Sequence, residues 1–317
     1  MRTILTSWAI ALAALGACAT GPDIQLVSTQ KLTMPHEAVY GLEKWRHGHM
    51  ITVDTGVTDS ATFIIASPQD SDRVVFSFSP PHTARTWISD YDLDGRGAVV
   101  FCGQSYSSDG RLAPFIGVRE PAAADIRVIR TYPYHPKVIS AAPDGTIWTA
   151  GVESELVEGS PVVNQNGDVI RHFDRLGRLI GSAVPSGEIY PPRTVYGILV
   201  ATSSRVGWYS PDGGKGTVYV EMSPDLRSST RYPGMPDPHG YGKVMGFTLS
   251  ENGDAYLTWE DRTGRATYRL DRTLKQWVKV AVPQLQKDSA PILNGEEEGV
   301  LVFRDGYDLN FVKPGTR

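Results

Sequence analysis

The sequence predicts an all-β, six-bladed β-propeller built of four-stranded antiparallel blades. Proline closes the outer-strand segment of every unit, at positions 35, 81, 133, 185, 233 and 283, so the units lie 46, 52, 52, 48 and 50 residues apart. Short segments rich in aromatic and β-branched residues recur in the same order within each unit, as strands prefer. Beyond the first residues no stretch keeps a 3.6-residue apolar period. A repeat of about fifty residues made of short strands means a propeller.

The first residues read as a processing signal. Met1-Arg2 supplies a short positive region, and Ile4 to Leu15 is a 12-residue, largely apolar stretch. That is too short to span a bilayer as a helix. It leads into Leu15-Gly16-Ala17-Cys18, which resembles the bacterial lipobox, where the cysteine is lipidated and becomes the first residue. Ala17-Cys18-Ala19 also fits a small-x-small cleavage site, so plain secretion is the alternative. Both readings put the protein outside the cytoplasm, in the first case held to a membrane (periplasm or outer membrane) by its lipid alone. The expected organisation is a leader over 1–17, a tether over 18–23 and one propeller domain over 24–317. With Cys18 acylated, Cys102 stands alone in the apolar run Ala98 to Cys102, a small buried hydrophobe. Without Arg2 the chain carries 30 basic against 35 acidic residues, and that mild acidity leaves no basic footprint for nucleic acid.

The elements follow in order within each unit. Outer strands read Ile24–Pro35, Arg73–Pro81, Ile126–Pro133, Arg178–Pro185, Ser228–Pro233 and Gln276–Pro283. Innermost strands read as 38–42, 86–89, 137–140, 194–198, 243–247 and 290–293. Small residues recur there (Gly41, Ser89, Ser140, Gly197, Gly246), because strands crowding a central axis tolerate little side-chain volume. Turns such as Asp94-Gly95, Asp144-Gly145 and Asn252-Gly253 accept positive φ and suit tight hairpins. Unit three carries extra sequence from Glu153 to Asn166. The last unit lacks a fourth strand, and the N-terminal strand lacks inner partners. Joining the two completes the sixth blade and removes an exposed edge. The tryptophans Trp87, Trp148, Trp208 and Trp259 read as blade core.

One hairpin carries a family resemblance. Ala142-Pro143-Asp144-Gly145-Thr146-Ile147-Trp148 resembles the hairpin of six-bladed propellers of the NHL, gluconolactonase and virginiamycin-lyase kind, a TolB-like architecture, and Leu249 to Tyr256 is a looser copy. The resemblance implies a fold and not a chemistry. The calcium-dependent lactonases place a Glu, an Asn and an Asp at inner-strand entrances. Glu37 can be laid on the Glu, but the other entrances here offer Lys137, Arg193 and Lys243. A hard cation wants oxygen ligands, so the substitution counts against that activity.

The joints from one outer strand to the next inner strand share a face, the channel mouth, with the loops between second and third strands. His36, His82, His135 and His239 occupy these joints in four units, and a cation follows in four, at Arg85, Lys137, Arg193 and Lys243. Cations at a narrow mouth focus positive potential and favour an anionic small molecule, glycan or protein segment. The four histidines could instead hold a divalent metal or move protons in a lyase or hydrolase. The plainer alternatives are polar joints with solvated cations, or a scaffold for assembly with no pocket in use. Acids Asp59, Asp109, Glu153, Glu155, Glu158, Asp212, Glu260 and Asp261 sit on the same face, most of them as solvated loop charges. His47-Gly48-His49 reads as a hairpin turn on the opposite face, and Ser210 to Thr217 as a hairpin with Asp-box spacing.

Overall fold

The computed structural model describes residues 25–32, 43–54, 60–68, 73–157, 160–185, 197–212, 216–237, 242–281, 291–306 and 308–314. Among them every regular element is a strand, and the strands form six antiparallel sheets arranged as propeller blades. Blade 1 holds β2 (Lys44–Arg46), β3 (His49–Asp54), β4 (Ala61–Ala66) and β5 (Val74–Phe78). Blade 2 holds β6 (Arg85–Leu93), β7 (Val99–Tyr106), β8 (Leu112–Arg119) and β9 (Arg127–Arg130). Blade 3 holds β10 (Tyr134–Ala141), β11 (Ile147–Val157), β13 (Asp168–Phe173) and β14 (Leu179–Pro185). Its extra sequence folds as β12 (Ser160–Val163), a hairpin extension laid on β11.

Blade 4 holds β15 (Ile198–Ala201), β16 (Val206–Asp212), β17 (Gly216–Met222) and β18 (Ser229–Pro233). Blade 5 holds β19 (Lys243–Leu249), β20 (Ala255–Asp261), β21 (Gly264–Asp271) and β22 (Gln276–Val280). Blade 6 holds β23 (Ile292–Glu297), β24 (Val300–Asp305), β25 (Asp308–Lys313) and the N-terminal β1 (Gln25–Lys31). Strand β1 pairs β25 from Gln25↔Lys313 to Lys31↔Asp308, so the two ends of the chain close the ring as expected. Segment 38–42, read as an inner strand, lies outside the described residues, as does 194–196; the described inner strands there are β2 and β15.

Apolar side chains alternate along each blade and fill the seams between neighbours. In the seam of blades 1 and 2, Phe101 packs on Phe63 at 4.6 Å and on Phe78 at 4.8 Å between ring centroids. Trp148 and Trp208 share the cluster between blades 3 and 4. Tyr219 meets Phe247 at 5.4 Å between blades 4 and 5. Trp45 sets its edge against Phe311 at 5.3 Å where blade 6 meets blade 1. Cys102 is fully buried between blades 2 and 3, and burial pushes its thiol well above the ordinary value. It behaves as the small hydrophobe read from the sequence.

The hub is charged. Lys44 Nζ lies 2.8 Å from Asp90 Oδ1, and Arg46 Nε donates to Asp92 Oδ1 at 3.0 Å. Asp90 Oδ2 accepts the Ile139 N–H at 2.9 Å. Asp92 Oδ2 accepts the Ser140 hydroxyl at 2.8 Å and the Ala141 N–H at 3.0 Å. Ser140 Oγ in turn accepts the Ala201 N–H at 3.0 Å. Across the ring, Leu293 N–H donates to Thr258 Oγ1 at 3.3 Å and Asn294 Nδ2 donates to the Glu43 carbonyl at 2.8 Å. Inner strands of neighbouring blades are thus tied by side chains, since their backbone ladders run only within a blade.

Burial raises both hub carboxyls, and the outcome differs. At Asp90 burial wins over Lys44 and the carboxyl rises above its ordinary value. At Asp92 burial is again the largest single cause. The charges of Arg46 and Lys44, together with the Ser140 and Ala141 hydrogen bonds, outweigh it and hold the carboxyl below that value. A depressed carboxylate stabilises the fold above its unfolded-state pKa and loses that contribution as pH falls through the folded value. Asp92→Asn, which strands the Arg46 charge, is expected to cost about 3 kcal/mol at neutral pH by urea denaturation. The gap from wild type should narrow as pH falls below about 4 and close as it passes the lowered folded value; a gap that widens over that range would contradict the assignment.

Candidate functional site at the channel mouth

Depth at the mouth is set by a recurring β-bulge. The inner strands of four blades each carry one extra residue, at Ser89, Lys137, Met245 and Asn294. Counted from this bulge, Trp87, His135, Lys243 and Ile292 are equivalent, each two residues nearer the mouth. The cations read from the sequence therefore sit on three levels. Lys137 occupies the bulge itself, Lys243 lies two residues above that level and Arg85 four. At a strand's rise these offsets are about 7 Å and about 13 Å.

Their environments differ accordingly. Lys243 is exposed and pairs with Glu260 Oε1 at 3.2 Å, while Arg265 Nε binds the same carboxylate at 2.8 Å. Glu153 takes Arg171 at 2.7 Å, and Glu43 takes Arg304. Glu153 and Glu260 thus spend their charge on cations of their own blades. Asp109 closes its loop with Arg111 at 3.1 Å, and Glu155 is exposed. Among the described residues neither Arg85 nor Lys137 has a carboxylate partner. Arg85 is exposed on the rim. Lys137 is half-buried, and desolvation holds its ammonium below the ordinary lysine value.

His135 is 7% exposed, edge-on to Tyr132 at 6.3 Å. Burial, then the Lys137 charge, lowers its imidazole, while a hydrogen bond to the Ser154 backbone acts the other way. His82 points to solvent from a left-handed backbone (φ 58°). The structure therefore does not bring the His82 and His135 rings into one cluster. His36, Arg193 and His239 lie outside the described residues, as do Cys18, Glu37, Asp59 and Glu158. Among the described residues no three His, Cys, Asp or Glu converge as metal ligands do. His47 and His49 form the expected far-face turn, with His49 Nδ1 2.7 Å from the His47 carbonyl.

One expectation is corrected. Trp148, Trp208 and Trp259 are blade core at 2% exposure or less, but Trp87 is 48% exposed. Its neighbours explain why. Trp87 pairs across the sheet with Gln104, and Arg85 with Tyr106; the bulge then lets Asp90 pair with Cys102. Gln104 and Cys102 are two apart on β7 and share a face, which at Cys102 packs on Ile139 of blade 3. Trp87 therefore faces the seam of blades 2 and 3 above the level where the seam closes. Lys137, on the neighbouring inner strand of blade 3, is close enough for its charge to act on the Cys102 thiol in that seam. The grouping of the tryptophans fails because Trp87 lies on an inner strand, whereas Trp148, Trp208 and Trp259 lie on second strands.

A cavity of about 470 Å³ opens on the opposite face, between blades 5 and 6. Asn252, Asp254, Tyr256, Arg269, Glu296 and Lys313 line it, and none of the expected site residues does. Burial raises the Glu296 carboxyl there. Acids and cations face each other across this cavity, so it offers no single sign of charge to a ligand.

No family model matches this chain, and no curated protein does. Among solved structures it is similar to a Bacteroides fragilis protein described as exported, with a TM-score of 0.54 and 11% identity over 92% of this chain and 96% of that one. TolB from Acinetobacter baumannii gives a TM-score of 0.48 at 14% identity, over 84% of this chain and 64% of TolB. A luciferin-regenerating enzyme gives 0.48 at 15% identity, over 93% and 98%. At such identities the likeness is one of fold, and no activity is carried across.

His135 supplies a direct check of the mouth electrostatics. In an NMR pH titration its ring is expected to titrate below the ordinary histidine value. Lys137→Gln should move the midpoint upward only part of the way, because burial is the larger cause. An unchanged midpoint would place the Lys137 charge away from His135.

Proposed function

We propose that this chain is an extracytoplasmic, lipid-anchored propeller that recognises an anionic ligand at the channel mouth, in the seam of blades 2 and 3. Lys137 carries the reading: a half-buried ammonium without a carboxylate partner among the described residues. A cation drawn partly out of water is costly until an anion offsets the lost hydration. Glu43 is taken by Arg304, Glu153 by Arg171 and Glu260 by Lys243 and Arg265, and among the described residues no carboxylate pairs with Lys137. Arg85 adds a second positive charge nearer solvent, which draws an anion towards the opening. Export and anchoring rest on the leader and on Leu15-Gly16-Ala17-Cys18.

Two measurements test this. Calorimetric titration with citrate should show binding to the wild-type domain that weakens about tenfold in Lys137→Gln, the loss of one charge-assisted contact. Equal binding by both proteins, or none by either, overturns the site. Separately, wild type should fractionate with membranes and Cys18→Ser should not; a Cys18→Ser protein that stays membrane-bound removes the lipid anchor.

A further inference from the structure

We infer that the ligand is an acidic oligosaccharide of uronate type, with one sugar ring lying on the exposed face of Trp87. The inference rests on anion recognition at Lys137 and names the ligand class for that site. Trp87 is the observation that demands it: an indole 48% exposed on an inner strand, while the second-strand tryptophans Trp148, Trp208 and Trp259 are sealed in the core. Such a ring offers a flat apolar surface at a fixed angle, because both its strand and its cross-strand partner are held in the blade.

The border of the ring is polar in a particular way. Gln104 Nε2 donates to the Tyr106 hydroxyl oxygen at 2.9 Å. That bond leaves the Gln104 amide oxygen as an acceptor and the Tyr106 O–H as a donor. Arg85, directly opposite Tyr106, adds a guanidinium fork. An apolar plane rimmed by an amide, a phenol and a guanidinium matches a pyranose, which has a C–H face and hydroxyls round its edge. The charges extend the match. Lys137 and Arg85 sit on different levels of the mouth, about 13 Å apart along the strand direction. A chain of uronic acids bears carboxylates at intervals and can meet both. A single aromatic anion can stack on Trp87 and reach one of them.

The test uses the whole propeller with trigalacturonate, maltotriose, uridine monophosphate and citrate as probes, each measured by calorimetry. Trigalacturonate should bind wild type more tightly than citrate, and maltotriose more weakly than trigalacturonate. Trp87→Ala should weaken trigalacturonate about tenfold and leave citrate unchanged, while Lys137→Gln weakens both. Trp87→Phe, which keeps a ring, should recover most of the loss and guards against a folding artefact. Citrate binding with trigalacturonate no tighter, or indifferent to Trp87→Ala, overturns the sugar platform and leaves the anion site standing. Tighter binding of uridine monophosphate than trigalacturonate overturns it in favour of a nucleotide. Binding of none of the probes overturns both readings.

Discussion

Everything in this ring depends on carboxylates buried at its axis. A propeller blade satisfies its own backbone but makes no ladder with its neighbour, so adhesion between blades falls to side chains. In the seams that means aromatic and aliphatic packing, which is strong and weakly directional. At the hub it means Asp90 and Asp92. They accept from Lys44 and Arg46 on one side and from Ile139, Ser140 and Ala141 on the other. Through Ser140 the chain of bonds reaches blade 4. These contacts are directional, and they fix the angles at which blades 1 to 4 meet.

The same crowding at the axis has a consequence at the mouth. An inner strand that must bring small residues and hydrogen-bonding groups to the hub, yet turn outward at the top, accommodates the change with a bulge. The bulge re-aims the residues above it. In blade 2 it leaves Trp87 facing an open part of the seam, and in blade 3 it turns Lys137 into a partly desolvated position. Stability and candidate function therefore share one backbone device. The hub carboxylates are consumed by the cations of blade 1, so they are not available to neutralise Lys137.

Much of the fold was legible in the linear chain. Strand-forming residues, turn residues and terminal prolines repeat at nearly constant spacing, and each is a local property. Closure of blade 6 by the N-terminal strand followed from counting strands, because an unpaired edge at each end has one economical remedy. The candidate site was legible only in part. Lys137 was picked out for its place after a proline-marked joint, but it was grouped with Arg85 and Lys243 as an equal. Their depths differ because a one-residue bulge is invisible to an alignment on punctuation residues. Trp87 reads as core beside Trp148, yet it lies on an inner strand near the mouth whereas Trp148 lies on a second strand deep in its blade. The hub acids Asp90 and Asp92 carry no sequence signal, since an aspartate beside Tyr91 reads as a surface residue until its partners are known.

Taken alone, the order of residues determined the all-β class, the number of blades, the way the ring closes and the burial of Cys102. Those features follow from short-range preferences repeated six times over. Tertiary structure decided which cations are answered by carboxylates, how deep each one sits and which tryptophan meets solvent. Such quantities depend on strand register and on groups from different blades, and long-range geometry of that kind is written in no single segment of the chain.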